Sequence, residues 1–302
     1  MISAVVAYRS DGLGSRLMAF GNGLRVARAL GVPCYFAWDQ GGSAGGITHL
    51  RALLDVTAME PEVKVETLSR VLREIRPLRI GFDAGKRIIE RAAIDEMDIL
   101  LCGVHRIQRI RGEEESPDLH EGLAAAIRYA APAPALAARI RDFAARHDLG
   151  AAVGVHVRRG DLVGHAKDVH RVRLIELDRY FAVLDVVARD EPLFLCTEDA
   201  SVIEAFSMRN PGRVFRHPTS SFARDDGTAV REALIEMILL SETRFIVAGP
   251  SAFSRYAAAR TIRPLIVLEN RHTLEESVDI AKAAIAPSVA EATAPVTRLS
   301  PW

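Results

Sequence analysis

Short apolar segments rich in β-branched residues alternate with longer amphipathic segments along most of the chain. A strand of a parallel sheet is covered on both faces, so it is apolar throughout, and the helices that connect such strands are amphipathic. The pattern therefore predicts an α/β protein made of two Rossmann-like, doubly wound domains that face a cleft.

The N-terminal half shows this pattern mainly near its two ends. It predicts strands at 2–8, 32–38 and 98–103 and a helix at 15–30. We expect Ser15 to cap that helix and Gly31 to end it. The pattern between residues 41 and 79 is weak, and no element is predicted there.

The C-terminal half shows the pattern more clearly. Strands are predicted at 152–157, 193–197, 213–216, 244–249 and 264–268, and helices at 135–147, 176–189, 199–208, 228–241, 252–260 and 273–285. The sequence shows no internal repeat.

The segment 129–135, YAAPAPA, is the best candidate for a domain boundary. Two prolines among alanines oppose a helix and favour an extended, stiff connection. We therefore predict one domain at 1–133, a second at 134–285 and a loosely held tail at 286–302, with a ligand bound in the cleft between the domains.

Composition narrows the class of protein. Basic and acidic residues number 39 each, so no net field attracts nucleic acid or an anionic membrane. Three widely spaced cysteines predict buried free thiols in a reducing compartment. Neither a signal peptide nor an apolar run of the ~20 residues that cross a membrane is present. We expect a cytoplasmic protein without a nucleic-acid partner, in an oligomeric state that the sequence leaves open.

The strongest candidate for chemistry is the segment 151–161, AAVGVHVRRGD, in which a buried strand ends in His156, Arg158, Arg159 and Asp161. Guanidinium groups match the oxygens of a phosphate, and ligands bind at the carboxyl ends of parallel strands. The segment predicts a diphosphate pocket, in which one arginine binds the ligand and the other anchors the loop through Asp161. A surface cluster of ion pairs is the alternative.

Other strand ends carry similar candidates. Thr197 can donate a hydrogen bond or cap a helix, and Glu198 or Asp199 can accept hydrogen bonds from a ribose or a base. The hydroxyl and backbone N–H of Ser251 can bind phosphate. Simple helix capping is the alternative at each position.

The turn at 11–16, DGLGSR, joins the first strand to the first helix. Gly12 and Gly14 let the backbone approach a ligand, and a helix N-terminus favours an anion. The spacing differs from the G-x-G-x-x-G fingerprint, so it does not favour a dinucleotide. A tight turn without a ligand fits equally well.

Two further groups of charged residues need an interpretation. Glu232 and Glu236 lie one helical turn apart; Glu236, among apolar residues, can accept hydrogen bonds from the N1–H and N2–H edge of guanine, although a solvated face is equally compatible. A basic cluster at His105, Arg106, Arg109 and Arg111 is expected to pair with the adjacent Glu113–Glu115 rather than to bind nucleic acid.

Three of these segments together resemble the inverting fucosyltransferases. They are GVHVRRGD, LFLCTEDAS and REALIEMILLSETRFIVAGPSAFSR, and the strongest similarity is to the α1,6 group that acts on chitooligosaccharides and on the core of N-glycans. DGLGSRL and FAWDQG are similar to the first domain of the member of this group that acts on chitooligosaccharides in nodulation. The resemblance is strong at 153–256 and weak at 45–150.

The resemblance implies a GT-B fold that transfers fucose from GDP-fucose to a glycan hydroxyl with inversion. It implies no metal and no other cofactor, an acceptor-side domain at 1–133 and a nucleotide-sugar domain at 134–285. By the same resemblance His156 lies near the nucleotide and Arg158 binds the β-phosphate. The other expected donor-site residues are Arg159 and Asp161 in the same loop, Asp199 in the second motif, Glu236 at guanine and Ser251 at phosphate.

One part of the family pattern is missing. The fucosyltransferase that acts on the core of N-glycans has a lysine after the first motif and then a glutamate that activates the acceptor. This chain has Leu162 at the lysine position and no glutamate at 164–168. Asp168, His165 and Asp11 are the candidates for the base. Two alternatives stay open: transfer from another nucleotide sugar, and a non-catalytic module that binds a GDP-sugar or glycan.

Overall fold

The computed structural model describes residues 2–39, 50–82, 87–159, 174–219 and 227–286. The chain divides into two compact units, Met1–Arg139 with Thr219–Ile235 and Ile140–Pro218 with Glu236–Trp302. The domain boundaries given above stay predictions, and the expected tail lies outside the described residues from residue 287 onward.

The first unit is built on a five-stranded parallel sheet. Its elements are β1 (Ala4–Tyr8), α1 (Leu13–Leu30), β2 (Cys34–Ala37), α2 (Leu50–Leu53), α3 (Val56–Met59), β3 (Val63–Glu66), α4 (Leu68–Ile75), β4 (Ile80–Phe82), β5 (Ile88–Ile89), α5 (Arg91–Asp95), β6 (Ile99–Cys102), β7 (Arg109–Ile110) and α6 (Pro117–Tyr129). The strand order is β3-β2-β1-β6-β4, and β5 pairs separately with β7. The segment 50–79, for which no element was predicted, therefore contains three helices and a strand.

Close packing of α1 on the central strand fixes this layer. A Cβ atom on Gly23 would lie 2.7 Å from the Cβ of Ala7, so only glycine allows the helix to approach β1 this closely. The helix begins earlier than predicted: Gly12 is its N-cap and Ser15 lies inside the first turn, so the predicted Ser15 cap is wrong. Gly31 ends the helix in the left-handed conformation, φ 65°, as predicted.

The second unit contains a five-stranded parallel sheet with the order β10-β9-β8-β11-β12. From the end of the first unit onward the elements are α7 (Pro134–Arg146), a single 3-10 turn (Leu149–Ala151), β8 (Val153–His156), α8 (Leu177–Val187), β9 (Leu193–Cys196), α9 (Ala200–Arg209), β10 (Val214–Phe215), α10 (Gly227–Ser241), β11 (Ile246–Ala248), α11 (Ala252–Thr261), β12 (Leu265–Val267) and α12 (Leu274–Ile285). In chain order this sheet is 3-2-1-4-5, the Rossmann order without its sixth strand. The predicted class, α/β with parallel sheets, is confirmed.

Tight packing also fixes the central strand of the second sheet. A Cβ atom on Gly154 would lie 2.5 Å from the Oγ1 atom of Thr243 and 2.6 Å from a methyl of Leu240. Glycine therefore lets α10 and the turn after it pack directly on β8, the strand that carries His156.

The proline-rich connection is shorter than predicted. Pro134 is the first residue of α7, a position where proline fits because the missing N–H would have no helical partner. The chain is extended only between Tyr129 and Pro134, where Leu54 and Pro132 form an antiparallel bridge.

Cys34, Cys102 and Cys196 are buried thiols that form no disulfide, as predicted. Among the described helices, none is both long and apolar enough to cross a bilayer.

Candidate functional site

The carboxyl edge of the second sheet gathers most of the predicted donor-site residues. His156 ends β8 and lies in register with Cys196 at the end of β9 and Ala248 at the end of β11. After β8 the chain forms β9 and β10 on one side of it, and then β11 and β12 on the other side. The strand order therefore reverses beside β8, and parallel sheets form a ligand crevice at such a switch point.

His156 is buried, and its ring stacks on that of Phe253 with a centroid distance of 4.5 Å and an angle of 13°. Burial first, and the nearby charge of Arg158 second, lower the pKa of His156 to about 3. The imidazole is therefore neutral near pH 7. Its Nδ1 atom is buried and has no hydrogen-bond partner among the described residues. A neutral imidazole has one donor and one acceptor nitrogen, so it suits a polar, uncharged ligand group.

Tyr180 on α8 fixes the strand end that carries His156. Its buried hydroxyl donates a hydrogen bond to the carbonyl oxygen of His156 at 3.3 Å. Burial raises the pKa of Tyr180, and a hydrogen bond with the backbone of Gly249 opposes that rise. Tyr180 therefore joins the ends of β8 and β11. The sequence did not identify Tyr180 or Phe253 as site residues, because an aromatic residue in a helical pattern is predicted to pack in the hydrophobic core.

The two arginines follow the strand directly, and both are half-buried. The Nε atom of Arg159 lies 3.9 Å from a carboxylate oxygen of Asp199. A described partner of Arg159 is thus a residue from the next strand end, and the predicted contact with Asp161 stays a prediction. Asp161 and Asp168, predicted as catalytic, lie outside the described residues.

Asp199 caps α9. Its Oδ1 atom accepts hydrogen bonds from the backbone N–H of Ser201 at 2.8 Å and from the Ser201 hydroxyl at 2.6 Å. The Ser201 hydroxyl contributes most to lowering the pKa of Asp199, and the charge of Arg159 contributes as well. Buried Thr197 accepts a bond from the backbone N–H of Asp199 at 3.3 Å. The capping alternative is confirmed here, and the other oxygen of Asp199 lies near Arg159.

Ser251 opens α11 at the end of the β11 strand. Its side-chain oxygen accepts a hydrogen bond from the backbone N–H of Phe253 at 3.2 Å, so the expected N-cap is present. Phosphate binding at this helix N-terminus stays a prediction.

Glu232 and Glu236 are both buried, so the interpretation of α10 as a solvated face at these positions is wrong. Glu232 accepts a hydrogen bond from Arg139 at 2.8 Å. Burial raises the pKa of the Cys196 thiol, the charge of Glu236 raises it further and the charge of Arg216 lowers it. The Cys196 thiol lies 4.0 Å from the carbonyl oxygen of Glu236, so this turn of α10 lies beside the end of β9, which is in register with His156.

Gly12 and Gly14 lie in the first unit, at the start of α1. Among the described residues, no side chain caps this helix, and a Cβ atom on Gly12 would meet nothing within 4 Å. Gly14 is buried in the first turn. A ligand could therefore approach the backbone N–H groups at Gly12 without a clash with the chain.

Arg16 explains why α1 begins where it does. Its buried guanidinium donates to the carbonyl oxygens of Asp11 at 2.8 Å, Ser10 at 3.2 Å and Asp39 at 3.2 Å. It also lies 4.7 Å from the ring centroid of Trp38. These contacts tie the ends of β1 and β2 together, so Arg16 is a structural clamp.

Asp11, a candidate base, is bound on both carboxylate oxygens by Arg9, at 2.7 and 2.6 Å. Arg9 also donates to the carbonyl oxygen of Gly103. This ion pair joins the loops after β1 and β6.

The basic cluster pairs differently from the prediction. Arg111 binds Glu90, and Glu113 binds Arg25 on α1 at 2.9 Å, so neither pairs within the loop. Glu115 is the loop glutamate near Arg109, at 3.9 Å.

Within the described ranges, no three His, Cys, Asp or Glu side chains form a group that could hold a metal ion.

Similar solved structures come from fucosyltransferases. NodZ α1,6-fucosyltransferase soaked with GDP-fucose matches at a TM-score of 0.58 and 19% identity, over 90% of this chain and 96% of that chain. NodZ from Bradyrhizobium, as its selenomethionine form, matches at 0.57 and 20% over the same shares. A mutant of Arabidopsis thaliana FUT1 in complex with GDP matches at 0.55 and 13%, over 92% and 73%.

No protein-family model matches the chain, and no curated protein sequence matches it. The fold nevertheless defines a class, the α/β proteins built on parallel sheets. Within that class it is the fold of the NodZ and FUT1 structures, so the predicted resemblance to fucosyltransferases is confirmed at the level of the fold.

Proposed function

We propose that this protein is a fucosyltransferase that moves fucose from GDP-fucose to a hydroxyl of a glycan, with inversion and without a metal ion. The observation that supports this proposal most is the buried, neutral His156, whose Nδ1 atom has no partner among the described residues. Arg158 and Arg159 follow His156 closely, at the switch point of the sheet. The fold shared with NodZ soaked with GDP-fucose supports the same donor.

Arg158 binds the β-phosphate of GDP-fucose in this proposal. When the bond to the anomeric carbon breaks, the departing GDP gains negative charge, and fixed cations and N–H groups stabilise that charge in place of a metal. The N-terminus of α11 at Ser251 supplies such N–H groups, because its first-turn amides point toward the same strand edge.

The nucleoside is recognised by groups around the end of β9. Glu236 accepts hydrogen bonds from the N1–H and N2–H edge of guanine, which a uracil cannot reproduce. Neutral His156 contacts the nucleotide without adding charge, and the pair Arg159–Asp199 links the ends of β8 and β9 beside it.

Asp168 is our candidate for the base that deprotonates the acceptor hydroxyl, with Asp161 in the same catalytic loop. Both oxygens of Asp11 already accept hydrogen bonds from Arg9, which leaves Asp11 poorly placed for proton transfer. Direct attack by the activated hydroxyl on the anomeric carbon gives inversion.

The predicted domain roles belong to this proposal. Residues 1–133 serve the acceptor, with Gly12 and Gly14 near the ligand, and residues 134–285 bind the donor. The three buried thiols support the predicted cytoplasmic location.

Nucleotide-dependent thermal unfolding tests the donor assignment. The protein is melted with GDP, UDP or ADP, each with and without EDTA. A ligand at one hundred times its Kd stabilises the native state by about 2.7 kcal/mol. We expect GDP alone to raise the Tm, equally with and without EDTA.

Product analysis with GDP-fucose and chitotetraose then tests the reaction itself. Fucosylated product with β-to-α inversion supports the proposal. Stabilisation by UDP rather than GDP contradicts the donor assignment and favours transfer from another nucleotide sugar. Binding of GDP-fucose with neither transfer nor hydrolysis, across neutral and anionic acceptors, contradicts the enzyme assignment and favours a binding module.

A further inference from the structure

Three arginines of the first unit lie together near the loop that follows β6. Arg87 precedes β5 and Arg109 begins β7, and the backbone N–H of Arg109 donates to the carbonyl oxygen of Arg87 at 2.8 Å. Arg106 lies three residues before Arg109 in the same loop.

Helix α1 holds the backbone of this loop. The Asn22 side chain donates to the carbonyl oxygens of Val104 at 3.1 Å and Arg106 at 2.6 Å, and it accepts from the N–H of Gln108 at 3.0 Å. Arg25 donates to the carbonyl oxygen of Gln108. These contacts bind the main chain and fix the backbone of the loop at Arg106.

The three guanidinium groups influence one another. Burial lowers the pKa of Arg87, the charge of Glu115 raises it, and the charges of Arg106 and Arg109 lower it further. Two of the described acidic residues nearby are bound to other arginines, Glu113 to Arg25 and Glu90 to Arg111. Among the described residues, Arg109 and Glu115 form an ion pair in this cluster, with 3.9 Å between Nη1 of Arg109 and Oε2 of Glu115.

Like charges held close together repel, and an oxyanion between them converts that repulsion into attraction. Planar guanidinium groups also match carboxylate, sulfate and phosphate oxygens in geometry. The loop follows β6, so it lies at the carboxyl edge of the five-stranded sheet. Ligands of parallel sheets bind at this edge.

We propose that Arg87, Arg106 and Arg109 bind an oxyanion carried by the acceptor, so that the preferred acceptor is an anionic glycan. This inference rests on the proposed function, because the transfer reaction is what makes the ligand of the first unit an acceptor glycan.

Calorimetric binding of matched tetrasaccharides to the full chain tests the inference. The probes are neutral chitotetraose, its 6-O-sulfate, its 6-O-phosphate and tetragalacturonate, which also distinguish the three sources of the oxyanion. We expect at least one anionic probe to bind tenfold or more tightly than chitotetraose at 50 mM NaCl. The difference should shrink at 300 mM, because salt screens half-exposed charges.

Arg106→Gln and Arg109→Gln should each remove most of that preference, by about tenfold, and leave the binding of chitotetraose unchanged. Arg111→Gln is the matched control, because it removes the same charge from the same segment at a residue bound to Glu90. If Arg109→Gln lowers the Tm, Arg87→Gln replaces it.

Equal affinity for neutral and anionic probes would overturn the inference, as would an equal loss of preference in Arg111→Gln. The GDP-dependent shift in Tm reports separately on the proposed function. Selective binding of anionic probes by a protein that ignores GDP would count against the fucosyltransferase and leave the arginine site standing. A normal GDP response without any anionic preference would overturn the arginine site alone.

Discussion

The two parallel sheets use their carboxyl edges differently, although both place the first strand of their unit at the centre. At the edge of the first sheet, Arg9 and Arg16 bind carboxylate and carbonyl oxygens of the chain itself. At the edge of the second sheet, buried His156 keeps an Nδ1 atom without a partner among the described residues. Charged residues at a strand end therefore indicate a ligand site only when their polar atoms are not already used by the fold.

The sheets also differ in the second half of their strand order. Counted along its own unit, the first sheet runs 3-2-1-5-4 and the second 3-2-1-4-5. Beside its central strand the first sheet has β6, whose following loop carries Arg106, whereas the second has β11, followed by the Ser251 cap. The neighbour of the central strand thus determines which loop lies beside the end of that strand.

Among the substitutions at the two sheet edges, Arg158→Ala is expected to have the largest effect. Loss of a group that stabilises the departing diphosphate should lower kcat/KM with GDP-fucose by about 10²–10³. The Tm without ligand should stay near that of the wild type. Steady-state kinetics and thermal melts check both, with Arg209→Ala as the control, since Arg209 is exposed and pairs with Asp185. Wild-type turnover in a folded variant would refute the role of Arg158.

Arg16→Met should produce the opposite result at the first edge. It removes three hydrogen bonds to carbonyl oxygens and a contact with Trp38, for a loss of about 3–4 kcal/mol in the free energy of unfolding. Urea denaturation measures this loss. If stability stays unchanged, the clamp between β1 and β2 is not what holds this edge.

His156 gives the second sheet a predictable response to pH. Its folded pKa of about 3 lies below the unfolded value, so the unfolded chain takes up a proton as the pH falls below about 6.5 and the folded chain does not. This residue should therefore cost about 2 kcal/mol of stability between pH 6.5 and pH 5. His156→Phe keeps a ring against Phe253 and should remove that part of the pH dependence in denaturant melts. Parallel pH profiles for the two proteins would contradict the neutral, buried imidazole.

Asp199 separates helix capping from contact with Arg159, and the expected effect is the smallest. Asp199→Ala loses both bonds to Ser201 and should destabilise the protein by about 1 kcal/mol. Asp199→Asn should retain most of that stability, because asparagine caps a helix about as well. If Asn and Ala destabilise equally, the ion pair at 3.9 Å matters more than the cap.

The sequence predicted the second unit better than the first for a physical reason. Strands such as Val153–His156 and Leu193–Cys196 are buried on both faces, so their sequence is apolar without interruption. In the first unit β3 reads VKVE, and α2 and α3 have four residues each, too few to show a helical period.

The candidate site could be predicted as a set of residues, and its pairing could not. Strand ends identified His156, Arg158, Asp199 and Ser251 from local pattern. The pairing of Arg159 with Asp199 depends on which strands are neighbours in the sheet, a relation between residues 40 positions apart. The start of α1 at Leu13 depends in the same way on a long-range contact, between Arg16 and the carbonyl oxygen of Asp39.

The three buried thiols lie on β2, β6 and β9, and they supply a built-in reporter of local opening. Burial raises the pKa of Cys34 to about 12, so a maleimide or a disulfide reagent has almost no thiolate to attack in the native protein. Each five-stranded sheet contains at least one such thiol. Timed alkylation followed by peptide mapping would thus record how often each sheet opens, and a single cysteine added at the surface would accept a fluorophore alone.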